Sequence, residues 1–350
     1  ISIFWSHSWS ASAWRKICTL LLFYNGWPSA VAGLLGSLLG ALLSAAWMSS
    51  PEANGVAAMT FGGCACFVVL GTWRPKGSIF LDKACISQDD KEQKDTGIMS
   101  LSFILRRSHT MLLIWDETYL ERTWCMYELA ARLKQVRDDG KEARSLKVLI
   151  SDQGPLVLLA CIVHCWVLVL LSLAAGRLWA VPALPWMAHL LATAVALAPL
   201  LLKNVSAVGA LQRQVRTFRS QNTKCFCCTC KHKDPVTSQI IGCDRLLIEE
   251  AVCQWFGKMD GFDRYFRERF LEQHAKVSCC LPYHYSLFVA MPSLWKGIGE
   301  CTWLGVGCLP AEGLGALALA ALYLAVLGPL SYGAICETLR YATVREKVCD

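Results

Sequence analysis

Apolar and polar positions vary along this chain on two length scales. On the longer scale, uncharged runs occupy 29–49, 56–72, 155–175, 178–202 and 313–336. Each is close to or above the roughly 18 apolar residues that a bilayer-crossing helix requires. The 56–72 run is the shortest and carries Thr60 and the Gly62-Gly63 pair. On the shorter scale, "ISIFW" opens the chain as an apolar, β-prone run that breaks at "SHSWS", which predicts a buried strand ending in a polar loop. A helix is expected over 11–24, a second strand over 77–87 and an amphipathic helix out of the polar loop 89–108. A third strand is expected over 109–120, a helix over 121–139 and a fourth strand over 145–151. Apolar residues at helical intervals in 243–276, broken between Gly257 and Gly261, predict a pair of packed helices.

Strands that are continuous apolar runs and alternate with helices imply a parallel α/β sheet covered on both faces. In open sheets of that kind the ligand crevice lies outside the carboxyl ends of the strands. Ser6, His7, Ser8, Trp9, Asp82, Lys83, Asp116 and Glu117 all fall at such ends, and the helix "RTWCMYELAARL" (122–133) starts from the same edge.

Composition sharpens the longer pattern. Only 17% of residues are charged and the net charge is +7. The bulk of the 34 Lys and Arg fall in 73–154 and 203–285. Basic residues gather on the cytoplasmic side of short loops, so the charge is assigned to topology and no nucleic-acid partner is expected. The expected organisation starts with a first strand and helix in 1–28 and a membrane hairpin in 29–72. The rest of the α/β domain follows in 73–154 and a second hairpin in 155–202. A cytoplasmic basic, Cys-rich segment with a helical pair occupies 203–285. A membrane region spans 286–336, and a cytoplasmic tail closes the chain at 337–350. This gives about five or six membrane helices and a multi-pass protein whose principal partner is the lipid bilayer. Lys296, Glu300 and Glu312 interrupt the last membrane region. The chain begins within an apolar run and without methionine, and is read as a piece of a longer protein. Most of the 19 cysteines fall in spans or cytoplasmic segments and are read as reduced thiols.

The motifs "FWSHSWS", "IFLDKACISQ" and "LLIWDETYLERTWCMYELA", in this order, resemble a Toll/interleukin-1-receptor (TIR) domain of the protist type. The resemblance covers about 1–28 and 73–151, interrupted by the first membrane hairpin. It implies a flavodoxin-like parallel sheet and two activities: self-association in signalling, and cleavage of NAD with release of nicotinamide. The glutamate that the resemblance makes catalytic is Glu128, with Ser6, His7, Trp9, Asp82 and Trp124 around the substrate. The chemistry is coherent, because breaking the nicotinamide–ribose bond develops oxocarbenium character that a nearby carboxylate stabilises. NAD enters as substrate, so no cofactor is expected. Three readings of function follow: a membrane-anchored NAD nucleosidase, a non-catalytic TIR-like scaffold, and a channel or transporter. The spans' lack of charge disfavours the last.

Each of these residues also has a plainer reading. Glu128 and Arg132 are spaced i,i+4, which fits a surface ion pair, and Trp124 fits a packing anchor at its helix start. His164 and His189 fall inside spans without an intramembrane carboxylate partner. Asn204-Val-Ser206 fits a glycosylation sequon by chance, given its cytoplasmic position. The run "CFCCTCKHK" places Cys225, Cys227, Cys228 and Cys230 beside a basic stretch, which fits reversible palmitoylation. Zinc ligation by Cys225, Cys228, Cys230 and His232 is set aside because that spacing is too tight for one tetrahedral site, so no metal is expected. Small residues Gly33, Gly36, Ser37 and Gly40 line one side of the first span and predict close helix packing.

Overall fold

The computed structural model describes residues 2–86, 93, 96, 100–139, 146–178, 202–233, 235, 238–274 and 283–307. The second half of the expected 155–202 hairpin, the 313–336 span, the 337–350 tail and most of 87–97 lie outside these residues. Among the described residues there are four strands: β1 (Ile3–His7), β2 (Ile79–Phe80), β3 (Thr110–Trp115) and β4 (Leu146–Ile150). The helices are α1 (Ala13–Ser44), α2 (Pro51–Thr72), α3 (Asp82–Cys85), α4 (Leu101–Arg107), α5 (Thr123–Asp139), α6 (Gln153–Leu178), α7 (202–217), α8 (Phe226–Thr229), α9 (Asp244–Phe256), α10 (Met259–His274) and α11 (Tyr283–Gly307). They form two compact units, one of 1–13, 76–151 and 207–277 and the other of 14–75, 152–206 and 278–350.

The first unit is built on the sheet. Its strands are all parallel, in the order β2-β1-β3-β4. The order reverses between β1 and β3, the point at which doubly wound sheets open a crevice at their carboxyl ends. Register places Ser6 beside Leu113 and His7 beside Ile114, so both residues reach that edge. Every residue of β3 after Thr110 is buried, as expected for a central strand covered on two faces. Phe4, Ser6 and Ser8 alternate onto one buried face of β1. The expected second strand shrinks to two residues, because the chain turns into α3 at Asp82.

The helical pair predicted in 243–276 is present as α9 and α10, and it completes this core. Gly257 links the two helices at φ +80°, a conformation open to glycine. Trp255 stacks on Tyr127 of α5 with centroids 5.5 Å apart, and Phe270 reaches Trp115 of β3 at 6.2 Å. Phe262, Phe266 and Phe270 are fully buried.

The second unit is helical. Among the described residues, three stretches, Ala13–Ser44, Pro51–Thr72 and Gln153–Leu173, are long and apolar enough to cross a membrane, which associates the chain with a membrane. The helix expected over 11–24 and the first span merge into the single α1, which passes through Pro28. Near this proline Asn25 donates to the carbonyls of Leu70 and Trp73, while the Ser29 hydroxyl reaches the Asn25 carbonyl at 2.6 Å. The small-residue face of α1 packs on α2 as predicted: a Cβ at Gly36 would lie 2.6 Å from that of Ala65.

The interrupted region 286–312 yields α11, which packs on α2 and α6 around the fully buried Trp295. Its Lys296 and Glu300 pair with each other, and Asn54 of α2 donates to the Gly299 carbonyl at 2.7 Å. His164 of α6 contacts the Val289 carbonyl through Nδ1 at 2.8 Å and the Ser293 hydroxyl through Nε2 at 3.0 Å. A neutral imidazole protonated on Nδ1 satisfies both contacts.

Candidate functional site

The site begins with the two elements that meet at the reversal of strand order. Ser6 comes from the buried face of β1, and α5 crosses that face after the β3 loop. Glu128 lies on the inward side of α5 and is only 5% exposed. Its Oε2 accepts a hydrogen bond from the Ser6 hydroxyl, and Ser6 Oγ is 2.6 Å from the Tyr119 hydroxyl. Tyr119 is fully buried, and its ring packs on Trp115 with centroids 5.5 Å apart.

Burial drives the electrostatics. Removal from water lifts the Glu128 carboxyl well above the usual carboxylate range. The nearby Asp82 charge raises it further, and the Ser6 hydrogen bond opposes both. Burial likewise pushes the Tyr119 phenol up, with Cys125 and Glu128 adding to it, so Tyr119 remains a neutral hydroxyl. The Cys125 thiol is also pushed up by burial and by Glu128, and it contacts the His7 carbonyl at 3.5 Å. Such a thiol is a packing group and no nucleophile.

Above this buried acid lies an exposed aromatic edge. Trp9 is 47% exposed, and its indole Nε1 donates to Asp82 Oδ2 at 3.3 Å. The His7 ring meets the Trp9 ring edge-on with centroids 4.2 Å apart. Thr118 closes the loop after β3, with its Oγ1 2.7 Å from Ser8 Oγ and its amide donating to Asp116 Oδ1 at 2.8 Å. The structure therefore gathers Ser6, His7, Trp9, Asp82 and Glu128 at one edge.

One expectation needs correction. Arg132 is not the surface partner of Glu128. It is fully buried and donates to the carbonyls of Leu105 and Ser108, both at 3.3 Å, and of His109 at 3.1 Å. The guanidinium thus satisfies the open carbonyls at the end of α4. Among the described residues, no cationic side chain lies within ion-pair distance of Glu128. Trp124, expected around the substrate, turns toward the helical pair. Its indole donates to Asp244 Oδ2 at 3.2 Å and its ring meets Tyr127 edge-on. It seats the start of α5 on α9.

Tyr119 is the residue that sequence reasoning missed. The signal is present in retrospect, as a hydroxyl-bearing aromatic in the otherwise polar loop "DETYLE". Its partnership with Ser6 joins positions 113 residues apart, which no local pattern reveals.

The cysteine cluster is also altered by folding. Cys225 and Cys227 are each 2% exposed, which hides the thiols that palmitoylation needs, while Cys228 and Cys230 are partly buried. No family model, curated protein or solved structure matches the chain, so the functional reading stands on the geometry of this edge.

Proposed function

We propose that the protein is a membrane-anchored, TIR-like NAD nucleosidase in which Glu128 is the catalytic carboxylate. The observation that carries the reading is a buried acid without a cationic partner among the described residues, set beneath the exposed Trp9–Asp82 edge of a parallel sheet. Perturbed acids cluster at working sites. The proposed topology is multi-pass, with the sheet unit cytoplasmic and five or six membrane helices in all.

The substrate supplies what the site lacks. The nicotinamide ring of NAD is cationic, so its arrival beside Glu128 favours the ionised carboxylate. In the reaction the C1′–N1 bond of the nicotinamide riboside breaks and its electron pair passes to the nicotinamide nitrogen. Glu128 stabilises the positive charge that develops at C1′ and on the ring oxygen. Water then adds at C1′ and gives up its proton, leaving ADP-ribose. Ser6 holds the carboxylate in position, and Trp9 offers a flat surface for an aromatic ring of the substrate.

The decisive experiment is incubation of the purified full chain in detergent with NAD, followed by chromatography for nicotinamide. Release that disappears in Glu128→Ala, with an unchanged thermal melt, supports the reading. Absence of release, or equal release by the variant, overturns it. A second reading draws on the near-complete burial of Glu128: the Tyr119–Ser6–Glu128 group is then a structural tie in a self-associating scaffold. That reading expects no NAD turnover and an oligomeric state that rises with protein concentration.

A further inference from the structure

The segment after α7 contains a group of side chains that the NAD reading does not use. Cys227 and Cys228 lie in α8, His232 follows in the next turn, and Cys243 immediately precedes α9. The potential ligand atoms of these four residues all lie within 4.8 Å of one another. Cys228 Sγ is 3.9 Å from Cys227 Sγ, 3.9 Å from Cys243 Sγ and 3.8 Å from His232 Nε2. Zinc–sulfur bonds of about 2.3 Å and zinc–nitrogen bonds of about 2.0–2.1 Å in a tetrahedron set the ligand atoms roughly 3.5–3.8 Å apart. The three spacings to Cys228 lie at or just above that figure.

The backbone is shaped to bring these atoms together. Lys231 and His232 sit at φ 53° and 57°, a left-handed conformation that non-glycine residues rarely adopt. This turn folds His232 back, so that its amide donates to the Cys227 carbonyl at 2.7 Å. An antiparallel bridge between Lys233 and Ile240 then returns the chain to Cys243, with the Ile241 amide 3.0 Å from the His232 carbonyl. Hydrophobic burial does not explain this closure, because Phe226 is 51% and Ile240 82% exposed. Small loops without an apolar core of their own are commonly fastened by a metal or a disulfide.

From these observations we infer that Cys227, Cys228, His232 and Cys243 form a structural Cys3His zinc site. The expectation of no metal considered only ligands within 225–232. The fold supplies the missing partner from Cys243, beyond the turn. Cys225, whose thiol lies 3.1 Å from that of Cys227, forms a second close group with Cys227 and Asp244 but offers only two thiols there, and Cys230 contacts the Cys227 carbonyl, so the four-residue group is taken without them. Binding releases the thiol protons, and the three thiolates with a neutral imidazole complete four-coordination, leaving no open position for chemistry. The metal would fasten α8 to the start of α9. This knot adjoins α5 directly, because the Thr123 amide donates to the Lys224 carbonyl at 3.2 Å and Asp244 accepts from Trp124. The proposal is independent of NAD turnover.

The test is the metal content of the full chain, expressed with zinc and purified in detergent. One zinc per chain is expected in the wild type, falling to a trace in Cys243→Ser and Cys227→Ser and remaining at one in Cys225→Ser and Cys230→Ser. Cobalt substitution reads the ligands without relying on variants that fail to fold. It should give the visible ligand-field bands of tetrahedral cobalt with strong thiolate charge transfer, and His232→Cys should strengthen that charge transfer. Substoichiometric zinc in the wild type overturns the site, as does full zinc in Cys243→Ser or an octahedral cobalt spectrum.

Discussion

Glu128 and Arg132 stand about one turn apart on α5, and the regions they enter treat a buried charge in opposite ways. Arg132 enters a region rich in acceptors: the carbonyls of Leu105, Ser108 and His109 and the Gln135 side chain all receive its guanidinium. The open end of α4 needs donors, and the cation complements the helix terminus. Glu128 enters a region that offers it one hydroxyl and the field of a second carboxylate. Among the described residues, the cation is paired by folding and the acid is left without a cationic partner, its carboxyl held toward the protonated form. Burial alone therefore does not mark a working residue; a buried acid without a cationic partner makes Glu128 the candidate.

The strongest way to break this contrast is Glu128→Ala. If the acid acts on substrate, nicotinamide release falls by about 10²–10⁴-fold, the range typical for removal of a positioned catalytic group. A smaller loss would make Glu128 a structural group like Arg132. The mirror experiment is Arg132→Met, which keeps much of the volume but leaves several buried carbonyls without a donor. Each costs about 1–3 kcal/mol, so a destabilisation of about 3 kcal/mol or more is expected in denaturation of the detergent-solubilised protein. Turnover per folded molecule should stay near wild type. An unchanged stability would mean that water or another donor reaches the α4 carbonyls.

Much of this contrast was hidden from the sequence. The strands were legible because a buried parallel strand is a continuous apolar run, as in "MLLIW". The edge residues Ser6, His7, Trp9 and Asp82 followed from their positions at strand ends. The i,i+4 spacing of Glu128 and Arg132 was misleading because it locates two residues on one helix face without saying what covers that face. Arg132 looks toward α4 and Glu128 toward β1, and only the packing of α5 decides this. The same limit applied to Trp124, whose partner Asp244 is 120 residues away, and to Cys243, which joins the cysteine cluster through a left-handed turn. In the helical unit the small-residue stripe was readable. The continuity of α1 through Pro28 was not, since a proline inside a helical pattern ordinarily signals a break or kink.

The third prediction uses pH. Folding lifts the Glu128 carboxyl above the unfolded value of about 4.3, so over a window starting there the native chain keeps a proton that the unfolded chain has lost. The group's contribution to stability is therefore greatest in acid and falls as pH rises, by about 1.4 kcal/mol per pH unit until the native carboxyl ionises. Glu128→Gln keeps an acceptor for Ser6 and has no such proton. It should equal the wild type near pH 4 and exceed it at neutral pH, in denaturation curves followed across that range. Parallel pH dependences for the two proteins would show that Glu128 is answered by a partner after all.

The smallest effect concerns the two tryptophans that flank the site, and it separates binding from packing. Trp9 is half exposed, so Trp9→Ala should change stability by no more than about 0.5 kcal/mol. If its ring carries a substrate ring, the loss of one aromatic contact of about 0.5–1.5 kcal/mol raises the KM for NAD by roughly two- to tenfold. The kcat then changes little, because the interaction is equal in ground and transition states. Trp124→Ala should do the reverse, lowering stability through lost packing against Tyr127 and the lost bond to Asp244, with KM unchanged for the molecules that fold. Were Trp124→Ala to raise KM and Trp9→Ala to leave it alone, substrate would enter from the α9 side. The edge built by Ser6, Trp9 and Asp82 would then be the packing surface.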